Sequence, residues 1–255
     1  MAGHNKWSKI KHRKKIVDKR RSKAWTMCSR ALISAARQGG ADPNFNFLLR
    51  AAIDEARYHN VPSDNIERAI KKGAGGGDTE NYEAVRYEGY GPGGVAVIID
   101  ALTNNRTRTA CDLRLIFGTN GGNLGVSGCV GHSFVHKGRI ALPGSPADEA
   151  RVMEAALDAG ADDVLYSPGD DNNTPGTFDI LTPPTAMLNI KDRLAKAGFT
   201  IAQSEFDMIP LTTVLVAGAG AKALVAFVDE LEENEDVKHV YTNAEIPDSE
   251  MAALQ

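Results

Sequence analysis

The residues of this chain with the plainest chemistry are cations. Lys6, Lys9, Lys11, Arg13, Lys14, Lys15, Lys19, Arg20, Arg21 and Lys23 crowd the first 23 positions, opposed by the single acid Asp18. Lysine and arginine at this density neutralise phosphates, and the interleaved Trp7 and His12 add rings, of which Trp7 can stack on an unpaired base. Besides Trp7, only Ile10, Ile16 and Val17 offer sizeable apolar surface there. That is too little burial to offset the entropy of ordering the segment, so residues 1–23 read as a basic, flexible arm. A basic run can also be a solvated tail. Here the charge continues through Arg30, Arg37, Arg50, Arg57 and Arg68 to Lys71 and Lys72, which favours a polyanionic partner. The candidate contacts are the arm's Lys6, Trp7, Lys9, Lys11, His12, Arg13, Lys14, Lys15, Lys19, Arg20, Arg21 and Lys23, with Arg50, Lys71 and Lys72 beside them.

The net charge of −4 conceals a strong asymmetry: residues 1–72 hold 17 Lys and Arg against 6 Asp and Glu, and the rest of the chain 12 against 27. A basic head on an acidic body directs the head to a polyanion while the body avoids coating it. Charge does not separate RNA from DNA. An unfolded arm suits the irregular grooves and loops of folded RNA, and the third helix of the N-terminal region shows no polar face that marks it as a major-groove reader.

Other spacings in the chain have plain structural explanations beside their chemical ones. In "NNRTRTACDLR", Arg106 and Arg108 open a helix whose positive end could hold a second phosphate; helix capping by Asn104 or Asn105 with ordinary surface arginines explains the same residues. "NGGNLG" reads as a turn needing positive φ, or else as a surface for close approach of a ligand. Gly218, Gly220 and Ala223 match GxGxxA, but the following strand ends in Thr242 and Asn243, without the acid that would hold a ribose. Cys129, His132 and His136 have metal-like spacing without an obvious fourth ligand; alternation on a strand explains the two histidines, and no metal or other cofactor is expected. "DELEENED" reads as a solvated helix face. No Walker A, GxSxG or HExxH pattern occurs, and no base, nucleophile or metal set marks an enzyme.

These residues must be carried by about two domains, or three small ones, given 255 residues with 42% hydrophobic and 24% charged content. No apolar run reaches membrane-helix length, no secretory signal opens the chain, and three widely spaced cysteines suggest reduced thiols, so a cytoplasmic location is expected. A three-helix bundle is expected over 24–76: "SKAWTMCSRALISAARQGG" closed by Gly39 and Gly40, "NFNFLLRAAIDEARYHN" capped by Asp42 with Pro43 in its first turn, and "SDNIERAIKKG" with Asp64 and Glu67 at capping-box spacing and Gly73 at its end. "GAGGGDTEN" is the joint that follows. Period-two patterning then gives a hairpin around Gly91, Pro92 and Gly93, a helix over 106–119, and a strand at "VGHSFVHKG". From 138 to 209 the expected order is βαββαβ, the ferredoxin-like one. A last βαβ, with strands at "LTTVLVAG" and "DVKHVYTN", is expected to complete the sheet begun before 138. The fold class is therefore α+β: 77–137 with 210–247 form one α/β domain, into which 138–209 are inserted.

"MAGHNKWSKIKHRK", "NIERAIKKG", "YEGYGPGGVAVIIDALTNNRTRT", "GGNLG" and "VYTNAEIP" resemble the YebC/PmpR family, which includes mitochondrial translational activators, over nearly the whole chain. The resemblance implies a helical N-terminal domain followed by two α/β domains, one inserted in the other. It implies DNA-binding transcriptional regulators or ribosome-associated factors that help translation through stretches such as consecutive prolines, with no enzymatic activity. Two departures stand out: "AWTMC" replaces an aromatic and a basic residue after the arm, with Trp25 as the aromatic substitute, and family members usually lack the Cys129, His132 and His136 set. The expectation is a non-catalytic nucleic-acid-binding regulator of gene expression, with ribosomal RNA on the ribosome as preferred partner and promoter DNA as the alternative. A protein-interaction module that uses the acidic body is the second alternative.

Overall fold

The computed structural model describes residues 17–75, 81–169 and 176–247. It has α+β architecture: an N-terminal three-helix bundle and two α/β domains, one inserted in the other. The bundle is α1 (Val17–Gly39), α2 (Phe47–Tyr58) and α3 (Ser63–Ala74). α1 thus starts inside the stretch expected to be a free arm. Cys28, Leu32, Ala35 and Ala36 recur at helical spacing and bury one face of α1 against Leu49, Ala52 and Ala56 of α2 and Ile66 and Ala69 of α3.

Local signals misplaced three helix ends. Asn46, and not Asp42, caps α2: its side-chain oxygen accepts the Leu49 N–H at 3.0 Å. Its amide also donates to the carbonyls of Ala35 and Gly40, both at 2.8 Å, so one side chain both starts α2 and ties it to α1. Asp42 instead accepts the Asn44 N–H at 2.8 Å and closes a turn before the helix. α3 has Pro62 at its cap position with no side-chain bond, because Asp64 already lies inside the helix, where it faces the positive end of the dipole. Gly73 does not end α3. A Cβ there would sit 2.4 Å from the Ile33 carbonyl oxygen and 2.9 Å from the Ala36 Cβ, so the glycine is what lets α3 close onto α1. Gly73→Ala should destabilise the protein by about 1–2 kcal/mol through forced separation of the helices. Urea unfolding checks this, and an unchanged midpoint would mean that the contact relaxes freely.

The second domain is built on the hairpin of β1 (Glu83–Tyr90) and β2 (Ala96–Thr103), in register from Glu83 opposite Thr103 to Tyr90 opposite Ala96. β3 (Asn123–Leu124) and β9 (Val237–Thr242) flank it, giving the antiparallel order β3-β1-β2-β9. α4 (Arg106–Thr119) and α7 (Gly218–Glu233) cover one face, where Phe117 and Phe227 meet edge to face at 4.9 Å among Val97, Ile99, Leu224 and Val240. The segment "LTTVLVAG" does not join this sheet. Only β8 (Val214–Leu215) is extended, and it pairs in parallel with β10 (Ala244–Glu245). Leu211 and Leu215 stay exposed while Val216 is buried, so the segment has no continuous buried face with which to line a sheet.

The inserted domain runs β4 (Phe134–Pro143), α5 (Glu149–Ala159), β5 (Asp163–Ser167), β6 (Thr177–Thr182), α6 (Met187–Lys196) and β7 (Gln203–Pro210). Its antiparallel order β5-β6-β4-β7 is that of a ferredoxin-like sheet. One strand stands where two were expected: a 3-10 turn over Gly131–Ser133 leads into β4, which pairs with β7 from Phe134 opposite Pro210 onward. Gly138 is no break. A Cβ there would lie 2.4 Å from Thr182 Oγ1 and 2.7 Å from Met187, so the strand passes under α6 only as glycine.

Candidate nucleic-acid interface

Lys6, Trp7, Lys9, Lys11, His12, Arg13, Lys14 and Lys15 lie outside the described residues, as do the side chains of Lys19, Arg20 and Arg21. The remaining candidates fall into two groups.

The first group is gathered by the up-down-up course of the bundle. Trp25 Nε1 donates to the His59 carbonyl at 2.9 Å and sets the end of α2 beside the first half of α1. Asn46 bonded to Ala35, and Gly73 against Ile33 and Ala36, bring the start of α2 and the end of α3 to the second half of α1. Arg37, Arg50, Lys71 and Lys72 therefore share one end of the bundle. Arg37, Lys71 and Lys72 are exposed, and Asp42 is the one acid within 33–50 and 69–75. Arg50 is half-buried: its guanidinium donates to the carbonyls of Pro43 and Asn44, both at 3.2 Å, and so braces the loop before α2.

The second group faces the acidic body. Lys23 Nζ donates to the Glu232 carbonyl. Arg106 is exposed, 3.7 Å from Glu83. Arg108 donates to Asp236 at 2.7 Å and to Asn104 at 3.1 Å, while Asn105 caps the helix by accepting the Arg108 N–H at 3.1 Å.

Asp236 was missed by sequence reasoning, which placed it on a solvated face. It is 3% exposed and accepts from Arg30 at 3.1 Å, Arg108 at 2.7 Å, Thr109 at 2.7 Å and Thr103 at 3.1 Å. Burial works against its ionisation, but the donors from Arg108, Thr109 and Thr103 outweigh it and hold the carboxyl below its ordinary value. Arg30 belongs to α1, donates also to the Glu235 carbonyl at 3.0 Å and lies over the Tyr82 ring at 5.0 Å. One carboxylate thus fastens the bundle to the body.

A second seam joins α2 to both α/β domains: Asp54 pairs with Lys191 of α6, and Glu55 with Lys238 of β9 at 2.7 Å. Phe47 packs on Phe206 at 5.9 Å between ring centres. Two of the bundle's acids are thereby neutralised by the body. Burial, and then Glu55, push the Cys28 thiol beside this seam up to about 12, which leaves it an inert core group.

"NGGNLG" has the positive φ expected of it at Gly121, +73°. Close approach also occurs, but to the protein itself: a Cβ on Gly122 would lie 2.6 Å from the Tyr90 carbonyl. Glu88, buried beside this loop, accepts the N–H groups of Gly128, Val130 and Gly131 at 2.7–2.9 Å. Those three bonds outweigh the burial that would raise its pKa and hold it below the ordinary value. His132 lies in the 3-10 turn and not on a strand with His136. Among the described residues, no group of three His, Cys, Asp or Glu side chains is arranged to hold a metal ion, and no helix is long and apolar enough to cross a membrane.

Two family models cover this architecture: the TACO1/YebC protein N-terminal domain over residues 5–76, and the TACO1/YebC second and third domain over residues 82–244. The chain belongs to the TACO1/YebC family. A TACO1/YebC relative from Thiobacillus denitrificans, called a "Probable transcriptional regulatory protein", is 48% identical over 97% of this chain and 100% of its own. One of the same description from Desulforamulus reducens is 45% identical over 96% and 99%. The crystal structure of a conserved hypothetical protein from Aquifex aeolicus is similar with a TM-score of 0.82 and 42% identity, over 95% of this chain and 97% of that one. The basic end of the bundle lies within the N-terminal TACO1/YebC match, and Asp236 within the other.

Proposed function

We propose that this protein is a non-catalytic regulator of gene expression that binds nucleic acid through its basic head, with ribosomal RNA on the ribosome as the target. The observation that carries this reading is the gathering of Arg37, Arg50, Lys71 and Lys72 at one end of the bundle, on the same head as the cationic first sixteen residues, while the body holds the acids. Such a head attracts phosphates, and the body repels them.

RNA is preferred on the character of α3. A major-groove reader contacts base edges with the N-terminal part of its recognition helix, and here that part carries exposed Asp64 and Glu67, which repel phosphate. The relatives' printed description as transcriptional regulatory proteins favours the second reading, DNA.

Cross-linking the protein to nucleic acid in cells and sequencing what is attached separates the two. Cross-links concentrated in ribosomal RNA, and reduced when residues 1–16 are removed, are the expected result. Concentration at promoters would establish the DNA reading, and the absence of cross-links to either would defeat both.

A further inference from the structure

A large aromatic side chain stands at the cationic end of the bundle with no role in the fold. Phe45 is 89% exposed, on the loop between α1 and α2. Exposed phenylalanines on loops are usually a matter of chance and the loop is usually mobile. This loop is held by hydrogen bonds before and after the ring. The N–H groups of Phe45 and Asn46 donate to the Asp42 carbonyl at 3.2 and 3.0 Å, the Asn44 N–H donates to the Asp42 side chain at 2.8 Å, Asn46 donates to Ala35 and Gly40, and Arg50 donates to Pro43 and Asn44. The bracing fixes the backbone on both sides of Phe45 while leaving its ring in water. Exposed Arg37, Lys71 and Lys72 share that end of the bundle, and Arg50, whose guanidinium braces the loop, adds its charge.

We propose that Phe45 is a stacking platform for an unpaired base of RNA, with the phosphates to either side of that base lying on the neighbouring cations. The inference rests on the nucleic-acid reading above and adds to it what part of the ligand is recognised. A flat apolar ring on a fixed backbone, set among cations, matches the two faces of a single-stranded nucleotide, an uncharged π surface and an anionic link. A protein partner would use the ring as an anchor in an apolar pocket instead, but the surrounding positive charge favours the polyanion.

The test uses the full chain, an oligoadenylate of about a dozen nucleotides, and the same oligomer paired with oligouridylate. Phe45→Ala should weaken binding to the single strand about 5- to 100-fold, the range for losing one stacked base, and leave the duplex affinity and the salt slope unchanged, because no counterion is released by stacking. Phe45→Trp should restore or exceed the original affinity. Equal affinity of Phe45→Ala and the parent for the single strand would overturn the stacking role and leave nucleic-acid binding standing. Equal losses on single strand and duplex would also overturn it, because they point to a role in loop shape. Failure of the parent protein to bind either oligomer, with capture of a protein partner that depends on Phe45, would overturn both readings.

Discussion

Asp236→Ala is expected to destabilise the protein by about 3 kcal/mol, near the low end of what removing one partner from a buried ion pair costs. Truncation leaves Arg30 and the hydroxyls of Thr103 and Thr109 without the acceptor they share. Thr109 is buried and still has Thr103 at 2.8 Å, while Arg108 is half exposed and can turn to water, which keeps the loss below the upper end of the range. Urea unfolding measures the loss. A change below about 0.5 kcal/mol, the size of an ordinary surface substitution, would mean that the junction is not a source of stability. Arg30→Ala combined with Asp236→Ala should cost clearly less than the sum of the two single changes, because both remove the same contact.

The same carboxylate sets a pH dependence whose sign follows from its lowered pKa. A carboxyl that is more acidic folded than unfolded contributes stability that is fully present above its unfolded value, about 4, and is lost as pH falls through the folded value. The stability gap between the parent and Asp236→Asn should therefore be largest near neutral pH and shrink on acidification below pH 4 or so. A gap that stays constant through the acid range would show that Asp236 does not titrate differently in the two states.

How much of this was legible in the sequence depended on how far each signal reaches along the chain. α4 was read with its final bounds because Asn105 caps it from the adjacent position and its length is set by its own apolar spacing. The hairpin at Gly91, Pro92 and Gly93 was equally local. Asp42 and Asn46 are both good caps, and the choice fell to Asn46 because its amide reaches Ala35, eleven positions back, which no local rule weighs. Gly73 was read as a stop because a glycine that ends an element and one that admits a neighbouring backbone look alike until the neighbour is known. Asp236 was the most hidden. It sits in a run of acids that resembles any solvated face, and its arginine partners stand 128 and 206 positions earlier. At the candidate interface the cations were legible as a composition. Their grouping at one end, and the Phe45 ring among them, follow from the antiparallel course of α2 and needed the structure.

Removing residues 1–16 is expected to have the largest effect on function. The cut stops where α1 begins and takes away Lys6, Lys9, Lys11, Arg13, Lys14 and Lys15, so the bundle keeps its core. If about six cations on this segment contact phosphate, they contribute about −4 to −5 to the slope of log affinity against log salt. The shortened protein should then show a slope shallower by about that amount, and near physiological salt its affinity for RNA should fall on the order of a thousandfold. Binding measured at several salt concentrations checks both quantities together. An affinity that falls while the slope holds would mean that the segment acts through contacts other than phosphates, with Trp7 the first to test. An unchanged affinity and slope would leave the segment a solvated tail and assign the phosphate contacts to other cations of the head. Phe45→Ala should alter affinity without altering slope, so the two changes read separately the neutralisation of phosphate and the stacking of a base.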